Sequence, residues 1–313
     1  MWRFWARCHV MTVFLLAPWI GVVAMPLVAR ADGVIGNRFL PSSLAVDDPF
    51  VADELSFTLL HFKTPTTPLS ASTVMTSMTT AYAKRVTENL GLTVEWDVIR
   101  LAPDGETGKT GISNVGVEVK YEIFERAEHE ALLSTAVGWQ VGGTGSASIG
   151  APSFHTVRPA MFFAKGAGDL PDSLSLLKPL AVTGRVGAAI PAGTDASHAP
   201  DLLEAGVVVE YSLPYLQEVV RGGGPSSPFT RIVPLVELSL ATPLTHARDG
   251  GTIGTINPGI VWLANGNRLQ LALEAVIPIN DRTGRTVGVR ASFNLFLNRL
   301  FPTSRLFRPI VGD

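Results

Sequence analysis

Two short motifs match the spacing of a serine acyl-transfer site. Ser175 and Lys178 have S-x-x-K spacing, and Lys109 to Gly111 read K-T-G, a combination used by penicillin-recognising enzymes. In those enzymes the serine precedes the K-T-G, begins a helix and is followed by S-D-N. Here the order is reversed and the other two features are missing. The match is at the level of chance, and no catalytic serine is predicted.

Metal and cofactor chemistry have no better support in the sequence. No histidine belongs to an H-x-x-H or H-E-x-x-H motif, and Cys8 is the one cysteine, whereas structural zinc sites use sets of Cys and His at short spacing. The G-x-G at Gly143 lacks the third glycine of a nucleotide-binding loop. We therefore predict no catalytic residues, no metal and no cofactor, and no enzymatic activity.

Charged residues recur instead on one face of segments whose other face is apolar. Val119 and Tyr121 alternate with Glu118, Lys120 and Glu122, and successive side chains of a strand point to opposite faces. The apolar face could meet lipid with the charges inside a barrel, or it could meet the core of a β-sandwich with the charges in water. The candidates for lining a barrel lumen are Glu95, Asp97, Glu118, Lys120, Glu122, Arg185, Glu204, Glu210, Glu237, Glu274 and Arg290.

Twelve segments with strand-like patterns would position these residues. Most span ten to fourteen residues, longer than an ordinary globular strand and close to the length that crosses a bilayer at a tilt. An even number also suits a closed barrel. The predicted strands are 54–63, 73–86, 90–101, 114–124, 130–141, 153–165, 178–190, 203–215, 229–241, 255–264, 268–278 and 285–297.

The connections between these strands mostly alternate between long and short. Short ones are 87–89, 125–129 and 265–267, and short turns are typical of the periplasmic end of a bacterial barrel. Connections 166–177 and 216–228 depart from the pattern, which leaves a miscounted strand there as an alternative.

The N-terminus has the three parts of a secretory signal peptide. Arg3 and Arg7 precede the apolar run 10–25, and Ala29-Arg30-Ala31 forms an A-x-A site. Cleavage after residue 31 would remove Cys8 and three arginines, so that the formal charge changes from −2 to −5. That charge argues against a nucleic-acid partner. Later in the chain there is no apolar run long enough for a spanning helix.

Three stretches carry a resemblance to a known family. They are RVTENLGLTVEWDV at 85–98, ISNVGVEVKYEIF at 112–124, and the ending 257–297 with its P-G-x-x-W and Asn-Gly turn. These resemble the outer-membrane transporters grouped with the phenol-degradation meta-pathway proteins. The resemblance implies a closed antiparallel barrel, and it transfers no catalytic or binding residue. Residues 298–313 depart from it, because outer-membrane chains typically end on an aromatic residue of the last strand.

The sequence thus predicts an exported, all-β, closed antiparallel up-and-down membrane β-barrel of about twelve strands. Its regions would be a signal peptide (1–31), a periplasmic N-terminal segment (32–53), the outer-membrane barrel (54–297) and a C-terminal tail (298–313). Its expected partners are outer-membrane lipid and a small solute, which it would pass as a channel or transporter. The alternatives are a soluble periplasmic β-sandwich that binds a ligand, and a structural envelope protein whose barrel is plugged.

The last hairpin gives a specific expectation about one ion pair. Strands leaving the turn at 279–284 would bring Glu274 within a step or two of Arg290. Residues facing each other across two strands interact directly, so we expect these two side chains to form a salt bridge.

Overall fold

The computed structural model describes residues 33–66, 71–223, 231–245 and 251–311. The predicted signal peptide lies outside these residues, and its assignment stays a prediction. Most of the described chain is strand. The strands are β1 (Val34–Ile35), β2 (Arg38–Phe39), β3 (Glu54–Thr64), β4 (Thr73–Arg85), β5 (Leu90–Pro103), β6 (Lys109–Ile112), β7 (Gly116–Arg126), β8 (Ala131–Gln140), β9 (His155–Gly166), β10 (Leu180–Ala192), β11 (Leu202–Tyr211), β12 (Ile232–Pro243), β13 (Ile253–Ala264), β14 (Leu269–Pro278) and β15 (Gly288–Phe296).

Twelve of these strands close into an antiparallel barrel. Each long strand pairs with its neighbours along the chain, and β15 pairs with β3 from Val289 opposite His61 to Phe296 opposite Glu54. Closure leaves no free edge among the twelve barrel strands, as a membrane barrel requires. The predicted closed barrel of about twelve strands is confirmed.

Strand β6 was not expected, because 102–113 was interpreted as a loop. It pairs with the end of β5, with Ile112 opposite Val98. The β5–β6 hairpin therefore extends beyond residue 101, where the predicted strand ends. Strand β6 is not one of the twelve strands that close the barrel.

The outer surface is a belt of exposed apolar side chains. Val119, Val137, Ile260 and Leu271 are 45%, 53%, 49% and 45% exposed, whereas side chains on the opposite rows point into the lumen. A soluble sandwich would bury its large apolar residues, so this distribution matches a lipid-facing surface. Along the described chain, none of the helices has the length and apolar content to cross a membrane.

The connections distinguish the two ends of the barrel. Turns 86–89, 127–130 and 265–268 are short and share one end, which we assign to the periplasm. The two exceptional connections at this end contain short helical turns, a 3-10 turn at Asp172–Leu177, α1 (Leu213–Tyr215) and a π turn at Leu216–Val220. The described parts of both connections contain no additional strand, so the miscounted-strand alternative finds no support there.

Residues 33–53, called the plug segment below, lie inside the barrel. Ile35 and Leu40 are 0% and 1% exposed and pack with Leu132 of β8, and Val46 packs with Val208 of β11. The expectation that this segment is periplasmic is therefore wrong for its described part. The physical reason is that its apolar side chains and backbone N–H groups find partners on the inner wall.

The C-terminal residues 298–311, called the tail below, return to the periplasmic rim. Helix α2 (Leu297–Leu300) follows β15 directly, and a 3-10 turn spans Arg305–Phe307. The N–H of Val311 donates to the carbonyl of Val86 at 2.8 Å. The tail is thereby fixed next to the turn after β4.

Candidate functional site

A carboxylate on the inner wall anchors the middle of the plug segment. Glu237 of β12 accepts hydrogen bonds from the backbone N–H groups of Leu44, Ala45 and Val46 at 2.8, 2.7 and 2.9 Å. Successive N–H groups that point into one concavity form an anion-binding site. Hydrogen bonds to an ionised acceptor are about twice as strong as neutral ones. Glu237 is fully buried, so these bonds compensate its loss of hydration.

A buried arginine anchors the start of the plug segment. The Nε of Arg38 donates to Glu130 at 2.8 Å, one terminal nitrogen donates to the carbonyl of Pro179 at 2.9 Å, and the guanidinium lies 4.0 Å from the centre of the Tyr215 ring. Tyr215 belongs to a periplasmic connection. Burial, together with the nearby Glu130 carboxylate, raises the pKa of Tyr215 to about 12. The phenol is therefore neutral when the guanidinium packs on it.

Strand β7 binds the second half of the plug segment. The ammonium of Lys120 donates to the carboxylate of Asp47 at 3.0 Å and to the carbonyl of Asp48 at 2.7 Å. Two residues further along the same strand, the carboxylate of Glu122 accepts a hydrogen bond from the N–H of Val51 at 2.8 Å. Both side chains lie on the inner row of β7.

Two further contacts hold the segment at the periplasmic rim. The backbone N–H of Ser42 donates to the side-chain oxygen of Gln270 in β14 at 3.0 Å. The side-chain NH₂ of Gln270 donates back to the carbonyl of Ser42 at 2.6 Å. Asp53 accepts from Arg85 at 2.7 Å and from Lys84 at 2.5 Å. The described plug segment is therefore tied to strands all around the barrel.

Two glycines on the inner rows make room for the plug segment. A Cβ atom on Gly91 would lie 2.8 Å from Val51, and one on Gly206 would lie 2.6 Å from Val46. Such separations are too short for real carbon atoms, and a glycine within a strand often marks a close approach of another chain segment. These positions require glycine because of the plug segment.

A cavity of about 430 Å³ lies between the plug segment and the wall formed mainly by β3, β4, β5 and β7. Charges of both signs line it, among them the acids Glu95 and Glu118 and the bases Lys120, Arg158 and Arg185. Both guanidiniums contact the carboxylate of Glu204. Their Nε atoms have no hydrogen-bond partner among the described residues. The cavity can therefore offer both cationic and anionic contacts to a polar molecule.

The predicted lumen residues differ in what they contact: the cavity, the plug segment or another charged side chain of the wall. Glu95, Glu118, Lys120 and Arg185 line the cavity. Glu122 and Glu237 bind the plug segment, as does Lys120, and Glu204 pairs with two arginines. All of these side chains are on inner rows, but several are engaged by the plug segment.

The remaining candidates lie outside the cavity lining. Asp97 accepts from the hydroxyl of Thr79 at 2.5 Å. Glu210 is 3% exposed, and one of its oxygens has no hydrogen-bond partner in the described chain. Glu274 lies directly opposite Arg290 and accepts from it at 2.5 Å, so the predicted salt bridge is confirmed.

Sequence reasoning missed Arg158, Arg38 and Gln270. The signal for Arg158 was present, because Thr156, Arg158 and Ala160 alternate with outward residues of β9. Arg38 had no such signal, since the plug segment has no sustained periodicity. In the described residues no group of three or more His, Cys, Asp or Glu is arranged to hold a metal ion.

The fold and its surface define the class of protein: this is an outer-membrane β-barrel. An outer-membrane channel from Pseudomonas putida F1 is 11% identical with a TM-score of 0.55, over 82% of this chain and 99% of that one. The KdgM porin in complex with disordered oligogalacturonate is 11% identical with a TM-score of 0.45, over 77% and 98%. At such identity the likeness to the Pseudomonas putida channel shows the fold alone. No protein-family model and no curated protein matches the chain.

Proposed function

We propose that this protein is a passive channel for a small polar solute, and that the plug segment controls the passage. The observation that carries the proposal is the charged cavity inside a closed barrel. Its volume of about 430 Å³ falls within the range of small-molecule pockets. Groups of opposite charge in one cavity favour a solute with polar or ionised groups over an apolar one.

The sequence resemblance to the phenol-degradation meta-pathway transporters supports the same class of function. Membership of that family is part of the proposal. The absence of enzymatic activity likewise stays a prediction.

The contacts of the plug segment suggest how passage is controlled. It fills the periplasmic end of the lumen with buried side chains such as Ile35 and Leu40, so a solute leaving the cavity on that side must displace part of it. The specific alternative is a structural envelope protein whose plug segment never moves. The hydrogen bonds that Arg38 donates and those that Glu237 accepts favour that alternative, because they hold the plug segment to the wall.

A reversible crosslink separates these functions. A Cβ on Gly91 would lie 3.6 Å from the Cβ of Val51, which is within the range of a disulfide. The double variant Val51→Cys/Gly91→Cys should therefore form a disulfide. The one native cysteine, Cys8, lies in the predicted signal peptide and should not compete for either new thiol. Conductance in planar bilayers should be lowest when the variant is oxidised and should rise on reduction. The single variant Val51→Cys, treated identically, is the control.

Deletion of residues 33–51 gives the second arm of this test. We expect the shortened protein to conduct more than the complete one, because the periplasmic end is no longer filled. If the shortened barrel folds, as judged by heat-modifiable gel mobility, and still does not conduct, the channel proposal is wrong. If crosslinked and reduced proteins conduct equally, the channel stands and control by the plug segment is wrong.

A further inference from the structure

The tail exposes large apolar side chains at the periplasmic end of the barrel. Leu306, Ile310, Val311 and Phe301 are 75%, 66%, 61% and 51% exposed. The first three exceed Val137 of the lipid-facing belt, which is 53% exposed. So much exposed apolar surface in one short segment indicates contact with membrane lipid or with another protein.

The same segment is positively charged. Residues 298–311 contain three arginines and no acid. Arg305 and Arg308 are exposed, and neither has a hydrogen-bonded or ion-paired acceptor among the described residues. Lys84 lies alongside, because its ammonium donates to the carbonyl of Arg308 at 2.6 Å. The exposed surface therefore combines apolar and cationic groups.

The position of the tail brings this surface to the level of the lipid headgroups. The N–H groups of Ile310 and Val311 donate to the carbonyls of Arg85 and Val86, at the periplasmic end of β4. Tyr82, three residues earlier on that strand, is outward-facing and 38% exposed, as part of the lipid-facing belt. The tail thus lies where the apolar belt ends, and tyrosine is typical of that interface.

We propose that the tail is a binding site for anionic phospholipid in the periplasmic leaflet of the membrane. The guanidiniums of Arg305 and Arg308 bind headgroup phosphates, and Leu306, Ile310 and Val311 insert among the adjoining acyl chains. Guanidinium is well matched to phosphate, and segments with basic and apolar side chains bind at the membrane interface through both terms. Charge complementarity selects anionic over zwitterionic lipid. The inference does not depend on whether the barrel conducts.

Native mass spectrometry of the detergent-solubilised full-length protein tests this site. The protein is titrated with phosphatidylglycerol or with phosphatidylcholine, and the retained lipid is measured. We expect wild type to retain phosphatidylglycerol preferentially. In Arg305→Gln/Arg308→Gln the affinity for phosphatidylglycerol should fall by about fivefold for each arginine, the effect of one basic residue near an anionic surface. Phosphatidylcholine retention should change little.

Two further variants make the result decisive. Arg282→Gln/Arg285→Gln removes two arginines at the opposite end of the barrel and should leave retention unchanged. Leu306→Ser/Ile310→Ser keeps the charges and should weaken both lipids. Heat-modifiable mobility confirms folding of each variant. Equal phosphatidylglycerol retention by wild type and the double arginine variant would overturn the proposal. Complete displacement of the lipid by millimolar inorganic phosphate would also overturn it, since the site would then bind a free anion.

Discussion

The charged residues inside the barrel fall into two groups that differ in what they contact. Arg38, Glu122 and Glu237 are buried and bond to the plug segment or hold it to the wall. Arg158 and Arg185 have side chains 31% and 21% exposed and line the cavity. Glu122 and Glu237 occupy the same kind of inner position on the closed sheet as the two cavity arginines, whereas Arg38 belongs to the plug segment itself. Position on the inner face therefore does not decide whether a charge is structural or available to a solute.

The difference comes from the partner that compensates each charge. A buried charge without a partner is costly, and the plug segment supplies partners through its backbone, as for Glu237. In the cavity, the guanidiniums share Glu204 and retain an Nε without a partner among the described residues. We infer that substitutions in the first group change stability and plug release, and that those in the second change what the lumen accepts.

The largest effect is expected from Arg38→Ala. This change leaves Glu130, which is 5% exposed, without its guanidinium, and loss of one partner of a buried ion pair costs about 3 to 5 kcal/mol. The measurement is urea unfolding in lipid vesicles, combined with protease cleavage of the plug segment. Arg185→Ala is the matched control in the cavity and should cost clearly less. Equal costs for the two variants would abolish the distinction between the groups.

The strands and their faces could be predicted because each depends on local pattern. Alternation assigns Val119 to lipid and Lys120 to the lumen without knowledge of any distant contact. The pair of Glu274 and Arg290 follows from one hairpin. These features need the turn and the two strands beside it, and all of that information is contiguous in the sequence.

The plug segment could not be predicted for the opposite reason. Its contacts join residues far apart in the chain, such as Leu44 with Glu237, and its backbone donors carry no residue-specific signal. Gly91 and Gly206 were the available hint, since each interrupts an inner row with the smallest residue. Their meaning depends on Val51 and Val46, which only the folded structure brings opposite them.

Glu237→Gln should show the next largest effect. The carboxylate accepts hydrogen bonds from three backbone N–H groups on its two oxygens. The neutral amide has one acceptor oxygen, and its NH₂ group, a donor, would face at least one of these N–H groups without forming a hydrogen bond. Loss of a hydrogen bond to a charged group costs about 1.5 to 3 kcal/mol. We expect faster protease cleavage within 33–53 while the barrel stays folded. Glu204→Gln, which touches no described plug residue through a hydrogen bond, should leave the cleavage rate near that of wild type.

Cavity arginines should affect ion selectivity more than stability. Arg158→Gln or Arg185→Gln removes a positive charge while Glu95 and Glu118 remain, so conductance of the protein lacking residues 33–51 should become more cation-selective. Arg290→Gln is the comparison, because Arg290 is paired with Glu274 and does not line the cavity. Reversal potentials under a salt gradient measure the change. A larger shift for Arg290→Gln would place the solute path along β14 and β15.

The smallest effect is expected from Asp48→Asn, at the boundary between the two groups. Burial raises the pKa of Asp48 above its ordinary value of 3.8, Lys120 opposes this shift, and Asp47 adds to it. Asp48 binds its proton more tightly when the plug segment is seated than when it is released. The contribution of Asp48 to the stability of the seated plug segment is therefore fully present below its ordinary pKa of 3.8. That stability falls as the pH rises through the raised pKa. Wild type should therefore release the plug segment more readily as the pH rises from below 3.8 through the raised pKa. Asparagine keeps an oxygen for the Phe50 N–H, which now donates to Asp48 at 3.0 Å, and it does not ionise, so the variant should show a flatter pH profile of protease cleavage. An unchanged profile would assign the pH response to another group and remove Asp48 from the contacts that set plug release.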